Sequence, residues 1–116
     1  MPRMEDIAWK TATWHVVDTT TNAVASATRA AEAGHRHLIT GYTISTSETP
    51  ISSGTCYVKD GDSVLDQVEV NKDAPSPLRS SERWLCAVSN TASIQVSALG
   101  AGVLMTIVLH GTTVDR

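Results

Sequence analysis

The chain has no phenylalanine and only two tyrosines and three tryptophans among its 116 residues. Without large rings, the core has to be thin and filled by small and β-branched side chains. Charge is scarce too. Charged residues make up 18% of the chain against 41% apolar, too few charges and too much to bury for a disordered segment. Its nine basic residues are scattered from Arg3 to Arg116 with no stripe or block, and the formal net charge is −3. Nucleic acid is therefore not an expected partner, because affinity for a phosphate backbone needs clustered Lys and Arg. Long apolar runs are missing as well. The longest, Val103 to Leu109, is a strand's length and is interrupted by Thr106, so no membrane-spanning segment is expected. The first residues, Met-Pro-Arg-Met-Glu-Asp, lack the apolar centre of a secretory signal, which points to a chain made in the cytoplasm.

What is abundant is hydroxyl. Twelve serines and fifteen threonines are the load expected of strands with one face in water. The length suits one domain. Residues 1–10 read as a polar arm carrying two isolated apolar side chains, Ile7 and Trp9, which are candidates for docking on a partner. Residues 11–116 read as a single β domain. From Thr11, Ala12, Trp14 and Val16 alternate against Thr13, His15 and Val17. The Ala-rich stretch from Thr19 to Ala33 suits helix by propensity, but its alternation of small and polar residues favours a strand ending at Gly34. In the next strand, Leu38, Tyr42 and Ile44 are expected on one face, with His37, Thr43 and Ser45 on the other.

Asp60-Gly61 marks a hairpin between a strand with Cys56 and Val58 inward and a strand over Val64 to Val70. Residues 71–81 form a loop held extended by Pro75 and Pro77. Strands then resume at Arg83 to Ser89, with Trp84, Cys86 and Val88 in phase, at Ser93 to Ala98, and at Gly102 to Gly111. Seven or eight short strands separated by turn chemistry predict an all-β fold, an antiparallel β-sandwich of Greek-key or jelly-roll type. The last strand is apolar on both faces, so it is either central or covered by another subunit. Leu104 and Val108, with Leu99 beside them, are the candidate oligomer interface.

Chemistry is thinly represented. The cysteines, Cys56 and Cys86, lie thirty residues apart within apolar patterns and read first as buried thiols, with a disulfide as the alternative. His35 and His37 share one side of a strand. A metal site there needs a third ligand such as His15 or His110, and solvent-facing or strand-edge histidines are the simpler reading. Asp60, Asp62 and Asp66 lack the loop length and terminal Glu of a calcium site. Neither a nucleophile elbow nor a glycine-rich phosphate loop is present, so no catalytic residue, metal or cofactor is expected.

The stretch Ala30-Ala31-Glu32-Ala33-Gly34-His35-Arg36-His37-Leu38-Ile39-Thr40-Gly41-Tyr42-Thr43-Ile44-Ser45, the Lys59-Asp60-Gly61 turn, and the closing Ala98-Leu99-Gly100-Ala101-Gly102-Val103 to Leu109-His110-Gly111 resemble small structural proteins of tailed-bacteriophage virions. The resemblance spans roughly residues 11–112. It implies a virion component of the head-decoration or cement type, with a β-sandwich that often trimerises. The partners it implies are the major capsid protein and further copies of the chain, on the capsid surface. A tail-associated or receptor-recognising β module is the alternative. These motifs encode strands and turns rather than a site, so they carry no functional residue across.

Overall fold

In the computed structural model, which describes residues 13–73 and 76–115, nine strands build two antiparallel sheets. They are β1 (Thr13–Thr21), β2 (Ala25–Arg29), β3 (His35–Thr46), β4 (Gly54–Asp60), β5 (Ser63–Val70), β6 (Leu78–Ser80), β7 (Trp84–Leu85), β8 (Ala92–Val96) and β9 (Leu104–Asp115). One sheet runs β1-β9-β3-β6, with β7 pairing further along β3, and the other runs β2-β8-β4-β5. Apart from the β4–β5 and β6–β7 steps, successive strands cross between sheets, and a late strand lies between early ones in each. This interleaving is a jelly roll.

The expected thin core is present and divides unevenly between the sheets. The first supplies the bulk, with Trp14, Ile39, Tyr42, Ile44, Met105, Ile107 and Leu109 all buried. The second answers with narrower side chains, in rows set by register: Ala27, Ile94 and Val58 in one, Ala25, Val96 and Cys56 in the next. Small residues face large ones, so the layers close without rings on both sides.

Several turns follow the residues that make them. Gly61 opens the two-residue loop between Asp60 and Ser63 with φ 58°, a conformation glycine adopts without steric cost. Asp60 then ties this turn to the next loop: its carboxylate accepts from the Ala87 amide and from Asn90 Nδ2, both at 2.9 Å.

The sequence pattern misplaces four features. The region from Thr19 to Ala33 is divided: β1 continues to Thr21, a turn follows, and β2 ends at Arg29. The loop over 71–81 contains β6, which pairs Leu78 with Ile44 and Ser80 with Tyr42. The strand at Arg83 to Ser89 shrinks to Trp84–Leu85, leaving Val88 exposed, although Cys86 is buried. In β3 the phase breaks. The register with β9 shifts between Ile39 and Gly41, so Thr40 is an extra residue in a bulge. His37 and Ile39 therefore point inward with Tyr42 and Ile44, while Leu38 is only half-buried. Gly41 permits the bulge: it has φ 149°, and a Cβ there would collide with the Ser80 carbonyl oxygen of β6.

Leu99, expected to need a neighbouring subunit, is buried by its own chain at 1% exposure. A Cβ on Gly54 would come within 2.9 Å of its side chain, and the Leu99 carbonyl accepts from the amides of Ile51 and Ser52.

At one end of the sandwich Trp14 lies against Gly111 of β9. A Cβ on Gly111 would overlap the indole ring and stand 2.8 Å from the Leu38 carbonyl oxygen. Gly111→Ala is expected to destabilise the fold by about 1–3 kcal/mol through overpacking. Thermal unfolding checks this: at roughly 4–8 °C per kcal/mol for a domain of this size, the midpoint should fall clearly.

Candidate functional site

The outward face of the β1-β9-β3-β6 sheet presents a consistent chemistry across several strands. Because side chains alternate along each strand, the buried Trp14, Leu109 and Ile107 fix which residues face solvent. Register then arranges those residues in rows. Val17, Val108, Thr43 and Arg79 cross four strands in one row; Thr19, Thr106 and Ser45 form the next; Thr21 and Leu104 follow. On the other side lie His15 and His110, directly opposed, and then Thr13, Thr112, Leu38 and Leu85.

Among the described residues of these rows the formal charge is Arg79, at the margin. Val17 is 53% exposed, Leu104 44% and Leu85 47%. The rows are otherwise filled mostly by threonine hydroxyls, and Thr19 and Thr106 hydrogen-bond to each other at 3.1 Å. Of the candidate interface residues, Leu104 is exposed here and Val108 is half-buried at the centre of the face. The other candidates, Ile7 and Trp9, lie outside the described residues.

The histidines separate into two settings. His37 is in the interior at 1% exposure. Its Nε2 lies 2.8 Å from the Ala30 carbonyl oxygen and donates to it, and its Nδ1 is hydrogen-bonded with the Thr113 hydroxyl at 2.9 Å. Trp14 meets the ring edge-on at 5.5 Å, and Arg29 lies over Trp14 at 5.6 Å while pairing with Glu32 at 3.0 Å. This cluster closes one end of the sandwich. His15 and His110 are exposed on the opposite side of the same sheet, so the sheet itself separates them from His37. The three-histidine constellation weighed from sequence does not assemble. Among the described residues no three His, Cys, Asp or Glu side chains are placed to hold one metal ion.

A concavity of about 310 Å³ lies beside the exposed histidine pair, lined by Thr13, Trp14, His15, Thr40, His110 and Gly111. Thr40 is there because of the bulge, a feature that a strict two-residue period conceals. The Asp60-Gly61-Asp62 turn is occupied structurally, since Asp60 spends both carboxylate oxygens on the 87–90 loop.

Both cysteines are free and buried. Burial pushes the Cys56 thiol up to about 12, with the Asp66 carboxylate adding to the effect. Cys86 is pushed up to about 11, chiefly by burial and then by Asp60, against an opposing contribution from Arg36. Such thiols are poor nucleophiles, because the thiolate is the reactive form. Tyr42 is pushed up to about 12, mainly by burial.

No family model and no curated protein sequence matches the chain. Among solved structures, the chain is similar to the CBM36-1 domain of a multidomain xylanase from the hindgut metagenome of Trinervitermes trinervoides. The two are 10% identical with a TM-score of 0.42, over 83% of this chain and 74% of that one.

The native protein is expected to leave Cys56 and Cys86 unlabelled by a thiol reagent at pH 8, and to release both on unfolding in guanidinium. The sign of the pH effect follows from the raised values. The unfolded thiols ionise near 9, before the folded ones do, so their contribution is intact below that pH and is lost as pH rises towards 11–12. Denaturant titrations at increasing pH should show this loss, reduced in a Cys56→Ala, Cys86→Ala variant.

Proposed function

We propose that this chain is a non-catalytic structural protein of a tailed-bacteriophage virion that decorates the head by binding assembled major capsid protein. The observation that carries the reading is the outward face of the β1-β9-β3-β6 sheet. It is broad, nearly free of formal charge, and displays Val17, Leu104 and Val108 among threonines. Rigid strands present it, so little conformational entropy is lost when it is covered. A repeating protein shell offers the same chemistry many times over, and modest contacts per copy add through avidity. The resemblance of the strand and turn motifs to virion components supports the same assignment.

The chain acts as a homo-oligomer, a trimer in the simplest arrangement, with Leu104 and Val108 at the contact and the remainder of the face left for the capsid. The arm over residues 1–10 attaches to the capsid through Ile7 and Trp9, each worth roughly 1.5–3 kcal/mol when fully buried, less the entropy of ordering the segment.

Light scattering at micromolar concentration is expected to give a trimer. The Val17→Lys, Leu104→Lys double variant is expected to give a monomer with a nearly unchanged melting temperature, because both positions are exposed. Co-sedimentation with undecorated heads should fall at least about tenfold in that variant. A wild-type chain that is monomeric in solution and does not sediment with heads overturns the proposal. Deletion of residues 1–10 is expected to weaken sedimentation without lowering the melting temperature. A collapsed melting temperature would assign Ile7 and Trp9 to the core instead.

A further inference from the structure

We propose that His15 and His110 form a binding site for a zinc-class divalent transition metal on the outward face of the β1-β9-β3-β6 sheet. They are register partners across β1 and β9, both exposed and both on the solvent side. Directly opposed residues on an antiparallel pair have Cβ atoms about 4.5–5.5 Å apart, a separation from which two imidazoles can converge on one ion at about 2.0–2.1 Å per nitrogen.

The setting favours this ion class. The ligand atoms are two imidazole nitrogens with no carboxylate in the flanking rows, which hold Thr13 and Thr112 on one side and Val17 and Val108 on the other. Imidazole without carboxylate selects zinc, copper or nickel over calcium or magnesium. The guanidinium among the described residues of those rows is Arg79, at the far end of the Val17–Val108 row beyond Thr43 and two strands away from β9. Both strands are held firmly, since β9 pairs along its length with β1 and β3, and the ligand backbones are fixed before the ion arrives.

The concavity of about 310 Å³ beside the pair leaves room for the remaining coordination positions. Thr13 and Thr40 line it, which places two hydroxyl-bearing side chains beside those positions. Two protein ligands with open positions make an exchangeable site, in contrast to the closed four-ligand shell of a structural zinc. The inference stands apart from the virion reading, because it concerns the free chain and needs no capsid.

The test is isothermal titration of zinc chloride into the full chain after chelator treatment and dialysis, with thermal unfolding in parallel. Saturable binding of one zinc per chain is expected, together with a zinc-dependent rise in melting temperature. His15→Gln and His110→Gln should each weaken binding at least about tenfold and abolish the rise, while their metal-free melting temperatures match the wild type. His35→Gln should bind as the wild type does. One zinc per two chains, with the same dependence on His15 and His110, also supports the site, with a second copy filling the open positions. The proposal is overturned by absence of saturable binding up to millimolar zinc, or by binding that survives loss of either histidine.

Discussion

The fold depends on β9 being paired on both edges. From Met105 to Thr112 each residue has a register partner in β1 on one side and in β3 on the other. The same strand delivers Met105, Ile107 and Leu109 to the interior at 0–1% exposure. Its other side is the middle of the solvent-facing sheet. Core, sheet continuity and the candidate binding surface therefore share one segment, and a change in β9 reaches all three.

That shared role explains why an apolar run was ambiguous in the sequence. A strand apolar on both faces is either central or covered by a neighbour, and Val103 to Leu109 meets the first condition within its own chain. Leu104 and Val108 are what remain for the second. Period-two alternation is enough to reveal the β class, the Asp60-Gly61 hairpin, and the burial of Trp14, Cys56 and Val58. It failed where the backbone departs from strict alternation. The bulge at Thr40 exchanges the expected faces of Leu38 and His37, and Gly41 inside the strand pattern was its local sign. It failed again at Leu78–Ser80, too short to show a period, and overran the two-residue strand Trp84–Leu85 as far as Ser89; both strands are positioned by β3.

The candidate site was less legible still, for a geometric reason. His15 and His110 are far apart in sequence, and only the antiparallel register makes them neighbours. His35 and His37 stand two residues apart in the sequence, yet His37 is an interior side chain whose ring nitrogens are both engaged. Proximity along the chain suggested one cluster, and proximity across the sheet produced another.

The interleaved strand order also sets a timetable for assembly. Thr19 and Thr106 touch although they stand 87 positions apart in the chain, and β1 has no other partner in its sheet. A growing polypeptide can close the local β4–β5 hairpin early, but β1 must wait until β9 has left the ribosome. Until then the apolar sides of β1 and β3 lack the strand that joins them. The nascent chain is thus most exposed to wrong partners, and most in need of protection by other factors, in the interval before its last long strand arrives.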